Sequence, residues 1–217
     1  MLNVVIDLSH HNATVDFAQI AASGIRAVFH KATQGTGYTD PTYAPRKPLA
    51  LEAGLLWGAY HFGDGSDAIT QATHFLNVVK PGPNDLLVLD IEQNTSGTSM
   101  TLAQAEQFVT QLFKATGRWP GVYGGSYLKN LLQGNGSSVL GNCWLWWAEY
   151  AAAPKIAPLW PEWTLWQYTD GYSGPTPHTV TGVGNCDRDQ FVGDEAALLR
   201  LWGASGTVAP VVLGTTV

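Results

Sequence analysis

The chain has 217 residues, which suits one α/β barrel of roughly 200–250 residues and is enough to bury a large core. A formal net charge of −6 without basic runs excludes the clustered cations that a nucleic-acid binder presents to phosphates. No run of about 18 apolar residues marks a membrane span, and a charged fraction of 13% beside nine Trp describes a surface with few charges and many flat aromatic faces.

The first strand is NVVIDLS (3–9). A short amphipathic helix follows over 15–24, ended by a Gly, and then the strands RAVFHKA (26–32) and LLWGAYHF (55–62). A second helix is expected over 66–80, from a Ser cap to the residue before Pro81. The strand LLVLDIE (86–92) comes next. The clearest helix spans 101–117, with a Thr cap, apolar residues at helical spacing and a Gly exit. The strands PGVYGG (120–125), CWLWWAEY (143–150), WTLWQYTD (163–170) and NCDRDQF (185–191) complete the series. Beyond about Tyr127 the helical patterns fail: AAAPKIAPLWPEW carries three prolines and GYSGPTPHTVTGVG is turn chemistry. One helix returns over 193–203. Continuous apolar strands alternating with helices predict an α/β fold with a parallel sheet. Eight strands with helices missing in the C-terminal half predict an irregular (β/α) barrel over 1–203, followed by a tail or linker remnant over 204–217.

Barrel active sites form where the strands end. Four acids fall at such ends: Asp7, Asp90, Glu92 and Asp187. Residues two apart on a strand share a face, so Asp90 and Glu92 share one cleft while Ile91 faces the helices. Closure makes the first and last strands neighbours, which brings Asp7 and Asp187 to the same mouth. Like charges at close range raise one another's pKa, so one acid keeps a proton for donation while others hold negative charge. Glycoside hydrolysis needs that division of labour.

Other readings compete. A single acid at a strand end is commonly a cap or an ion-pair partner. His10, His11, His30 and His61 also lie near strand ends, yet no HxH pair sits within a strand and no HExxH occurs, so a metal centre is not expected. Cys143 and Cys186 either pair or are buried thiols. Tyr60, Tyr123, Trp146, Trp147, Tyr150, Trp166 and Tyr168 lie on or just after strands, about half of them as core, since aromatics dominate cores. In WLWWAEY, Leu145, Trp147 and Glu149 share one face and Trp146, Ala148 and Tyr150 the other.

In order, VVIDLSHHN, HKATQGTGYTDPTY, WGAYHF, LLVLDIE, GVYGGSYL, LWWAEY, LWQYTD and NCDRDQF resemble the signature strands of glycoside hydrolase family 25, the muramidases and many phage endolysins. The resemblance covers roughly residues 3 to 203. It implies an eight-stranded barrel with few helices, no metal and no cofactor. The implied substrate is bacterial cell-wall peptidoglycan, cut between N-acetylmuramic acid and N-acetylglucosamine. It implies that Glu92 is the general acid/base, that Asp90 stabilises the transition state or holds the acetamido group, and that Asp7 and Asp187 flank them. Tyr60, Tyr123, Trp146, Tyr150, Gln167 and Lys31 are the expected groove residues. Gln34 stands where the family often has Glu, so Lys31 is expected to turn to Asp7 or Asp40. A chitinase on the same scaffold and a non-catalytic wall-binding protein are the alternatives. The opening MLNVVIDLS reads as strand rather than secretory signal. The protein is therefore expected to be made in the cytoplasm as a monomer and to reach the wall through a pore, or to be a secreted form whose signal has been removed.

Overall fold

The computed structural model describes residues 1–133 and 136–203; the expected tail over 204–217 lies outside the described residues. The elements run β1 (Leu2–Leu8), α1 (Phe17–Ala22), β2 (Ala27–Gln34), β3 (Tyr38–Thr39), α2 (Tyr43–Glu52), β4 (Leu56–Phe62), α3 (Ala68–Val79), β5 (Leu86–Asp90), α4 (Leu102–Thr116), β6 (Gly121–Gly124) and α5 (Ser126–Leu131). The second half adds β7 (Trp144–Ala148), β8 (Leu165–Thr169), β9 (Thr179–Val180), β10 (Gly184–Asn185), β11 (Asp187–Phe191) and α6 (Glu195–Leu201).

Eight strands close a barrel in the order β1-β2-β4-β5-β6-β7-β8-β11, and β11 pairs back onto β1. Closure leaves these eight strands no exposed edge. The expected strands are all present, with one correction. Seven run parallel, but β11 is antiparallel to both β1 and β8. Parallel neighbours need a crossover, usually a helix, and none lies between β8 and β11. A two-stranded ribbon, β9 with β10, fills that connection instead.

One helix cap changes, and two helices form where none was expected. The α3 cap is Asp67 rather than Ser66: the Asp67 carboxylate accepts from the Thr70 backbone N–H. Helix α2 forms although Pro48 lies inside it. It is held from outside, by burial of Tyr43 and Ala50 and by Arg46, which donates to the Ser9 carbonyl at 2.8 Å. A short helix, α5, also follows β6, past the point where helices were expected to fail. The long helix behaves as read: Thr101 and Gln104 cap α4 reciprocally and Gly117 ends it at φ +71°.

Two apolar layers result. The inner layer fills the barrel with Val5, Ala27, Phe29, Val88, Trp146 and Leu165, among others. The outer layer lies between strands and helices and includes Ile91, Trp147, Trp166 and Tyr168. Trp202 follows α6 and seals the end opposite the mouth. Its ring lies 5.3 Å from Phe29 and its indole N–H donates to the Trp57 carbonyl at 2.9 Å. Room for such rings comes from Gly58, where a Cβ would lie 2.3 Å from Phe29 carbons. Among the described residues no helix is long and apolar enough to cross a membrane.

Candidate active site

A cavity of about 180 Å³ opens at the mouth of the barrel. Its lining is Asp7, Tyr60, Asp90, Glu92, Tyr123, Trp146, Tyr150, Gln167 and Asp187. These are the sequence-derived candidates with the exception of Lys31. The strands explain the convergence. Asp7 and Asp187 are register partners across β1 and β11. Because β11 runs antiparallel, Asp187 reaches the mouth from the start of its strand rather than from its end. Asp90 is the last residue of β5 and pairs in register with Tyr123. Glu92 lies just beyond β5, and the alternation persists: Ile91 is fully buried in the outer layer while Asp90 and Glu92 face the cavity.

Gln167 organises one wall. Its side-chain oxygen accepts from the hydroxyls of Tyr123 at 2.8 Å and Tyr150 at 2.9 Å. Its amide nitrogen donates to Asp7 at 2.8 Å. Tyr150 is 40% exposed and forms the accessible aromatic rim, whereas Trp146 is 1% exposed and supports the floor beneath Tyr60 and Tyr123. Lys31 stands outside the lining. Its ammonium donates to Gln34 at 2.7 Å and lies 5.1 Å from the centre of the Phe62 ring. The expected turn to Asp7 or Asp40 is thus corrected: Gln34 accepts from Lys31 as a neutral amide. Burial lowers the Lys31 pKa, and the charges of Asp90, Asp40 and Glu92 oppose that shift.

The structure adds a fifth acid that the sequence reading passed over. Asp189 is fully buried, and its Oδ1 accepts from the Trp146 indole N–H at 2.7 Å while Oδ2 has no partner. The signal was present, since Asp189 lies two residues beyond Asp187 and so shares its inward face.

Burial dominates the electrostatics. It raises Asp7 well above the usual carboxylate range, and the charges of Asp187 and Asp189 raise it further. Asp187 is pushed up to about 6 by burial, with a hydrogen bond from Asp7 acting the other way. Asp7 therefore keeps the proton that the pair shares. Asp90 is raised well above the ordinary value by burial and by the charge of Glu92. Glu92, half-buried, is raised by burial, and Lys31 opposes the shift. Asp90 also keeps Oδ1 buried without a partner. Both carboxyls of this pair therefore hold protons at higher pH than ordinary carboxyls do, and such a proton can serve acid catalysis.

These shifts set a pH dependence of stability. A group whose folded pKa is raised stabilises the fold below its unfolded pKa and loses that contribution as pH rises through the folded pKa. Asp7, Asp90 and Asp189 are all raised well above the unfolded value. Buried His30 and His61 are lowered to about 4, so they cost stability only as pH falls below their unfolded value of about 6.5. Melting temperature should therefore fall as pH rises from the unfolded carboxylate value of about 3.9 through the raised values of these acids, while the two histidines act in the opposite sense below about 6.5. Asp189→Asn, which keeps the acceptor for Trp146, should flatten that fall in thermal melts. An unchanged slope in the variant would contradict the placement of a protonated Asp189.

The other candidates are structural. His30 stacks on Trp57 and His61 on Phe108, both on the outer side of the barrel wall. His10 is tied to Asp40 at 2.8 Å. Among the described residues no three His, Cys, Asp or Glu are arranged to share a metal ion. Cys143 and Cys186 are buried and unpaired, and burial pushes both thiols up to about 12.

A closed barrel with a pair of acids two residues apart at its mouth, and two more opposite, defines the class: a glycoside hydrolase. The glycosyl hydrolases family 25 model matches residues 6–176. The chain is 30% identical to lysozyme M1 of Streptomyces globisporus, over 90% of this chain and 70% of that one. Among solved structures, a family GH25 lysozyme from Aspergillus fumigatus is 32% identical with a TM-score of 0.78, covering 92% of this chain and 98% of its own. A bacterial lysozyme from Streptomyces coelicolor is 30% identical with a TM-score of 0.79, covering 90% and 94%. The chain belongs to family 25 of the glycosyl hydrolases.

Proposed function

We propose that this protein hydrolyses bacterial peptidoglycan, cutting the β-1,4 bond from N-acetylmuramic acid to N-acetylglucosamine. The observation that carries the reading is the convergence of four carboxyl groups from three strands on one 180 Å³ cavity. Such crowding costs stability and is explained by chemistry rather than by folding. The relatives named as lysozymes support the choice of substrate.

In this reading Glu92 protonates the glycosidic oxygen. It is the more accessible member of the pair, and burial keeps it protonated at higher pH than an ordinary Glu. Asp90 is the more strongly raised, so in the free protein it holds its proton more firmly than Glu92 does. Substrate reverses that preference. A sugar acetamido N–H donating to Asp90, or positive charge growing at the anomeric carbon, favours the Asp90 carboxylate and leaves the proton to Glu92. Asp187 and Asp7 supply a second pair on the opposite wall, and Gln167 holds Asp7 and both tyrosines in register. Tyr60 and Tyr150 offer ring faces to the sugars. The enzyme acts as a monomer on the wall without a cofactor.

The direct test incubates purified protein with peptidoglycan and follows new reducing ends. Steady release is expected. Retention on the wall with no release would make the protein a wall binder and overturn the proposal.

A further inference from the structure

A second hollow, of about 550 Å³, adjoins the catalytic cavity and shares Glu92 and Tyr150 with it as common walls. The turn after β6, helix α5 and the segment after β7 frame it. Two cations line it, Lys129 and Lys155, in a chain with 11 Lys and Arg against 17 acids. The Lys129 ammonium donates to the Lys155 backbone carbonyl at 3.1 Å, which ties α5 to the segment after β7. The one further acid there, Glu149, is already engaged. It accepts from the Trp147 indole N–H at 3.0 Å and from the Lys155 backbone N–H. Burial raises its pKa, but these bonds and the charges of Lys129 and Lys155 outweigh burial and hold it low.

The lysines do not serve the catalytic acid, since the cation that acts on Glu92 is Lys31. Glu149 offsets one of the two lysine charges, which leaves one positive charge in excess in a hollow beside the catalytic cavity, available to an anion from outside. Muramic acid differs from glucosamine by a lactyl ether whose carboxyl is either free or extended into a peptide with carboxylates of its own. Chitin carries no such group.

We propose that this hollow binds the carboxylate-bearing lactyl substituent of the sugar next to the scissile bond, with Lys129 and Lys155 as its cations. The proposal rests on the muramidase reading above and adds the determinant that separates peptidoglycan from chitin.

The test compares wild type with the Lys129→Met/Lys155→Met double variant on three soluble glycans. One carries peptide stems, one has been stripped by an amidase to free lactyl carboxylates, and one is a chitin oligomer followed by binding. The double variant should raise KM about tenfold on a carboxylate-bearing glycan at unchanged kcat, as expected for loss of charge-assisted contacts. It should leave binding of the chitin oligomer unchanged. Loss on the stem-bearing glycan alone assigns the peptide carboxylate, and loss on both assigns the lactyl carboxylate; either supports the site. Lys129→Arg/Lys155→Arg should restore KM. Equal weakening on chitin, or no change on any glycan, would overturn the proposal. Wild type that cleaves neither muramic glycan would instead reject the muramidase reading itself.

Discussion

Glu92→Gln should lower kcat on peptidoglycan by about 10³-fold, within the 10²–10⁴ range that a positioned general acid contributes, and leave wall binding nearly intact. The substitution is close to isosteric and removes the proton that the reading assigns to the leaving oxygen. It also removes a half-buried carboxyl whose pKa is raised by burial, so the variant should melt no lower than wild type at pH 8. Activity and stability should thus move apart. That separation distinguishes a catalytic acid from a structural one, because loss of a structural acid lowers both. Turnover from new reducing ends, together with a thermal melt on the same preparation, reads both quantities. A variant that keeps more than about a tenth of wild-type turnover would remove Glu92 from the acid role.

Gln167→Leu should be the most damaging change on the opposite wall. Gln167 is 3% exposed and satisfies three groups at once, the hydroxyls of Tyr123 and Tyr150 and the carboxyl of Asp7. Leucine fills a similar volume but leaves those groups to find other partners. The expected cost is about 2–4 kcal/mol of stability, since unsatisfied buried polar groups cost about 1–3 kcal/mol each and Tyr150 can turn to water. Turnover should fall by roughly 10²-fold as the tyrosine rim and Asp7 lose their common anchor. Gln167→Glu keeps the acceptors, loses the donor to Asp7 and adds a buried charge beside the Asp7–Asp187 pair. Its stability should therefore recover toward wild type at low pH, while that of the leucine variant should not. Denaturant melts at pH 5 and pH 8 check both. Wild-type stability in Gln167→Leu would show that this hydrogen-bond centre does not hold the wall.

Most of this architecture was legible in the sequence because barrel strands buried on both faces leave continuous apolar runs bounded by turns. The positions of all eight barrel strands, the long helix with its Thr101 cap, and nine cavity residues followed from that pattern and from the family resemblance. The direction of β11 did not, because strand sense depends on the connection rather than on the strand. The turn-rich GYSGPTPHTVTGVG stretch was the available signal: without a crossover helix, the chain returns antiparallel. Helix α2 was hidden by Pro45 and Pro48, which argue against a helix locally, while tertiary bonds from Arg46 and burial of Tyr43 hold it. Asp189 was overlooked because a buried acid in an apolar layer contradicts ordinary partitioning, although its spacing from Asp187 put it on the inward face. The partner of Lys31 depends on a three-residue reach to Gln34 along the same segment, which the loss of a charge at that position obscured.

The most direct measurement is mass spectrometry of the soluble fragments released from peptidoglycan by the wild type and by Glu92→Gln. The account predicts fragments with N-acetylmuramic acid at the reducing end from the wild type and essentially none from the variant. Fragments ending in N-acetylglucosamine, or equal release by the two proteins, would contradict it.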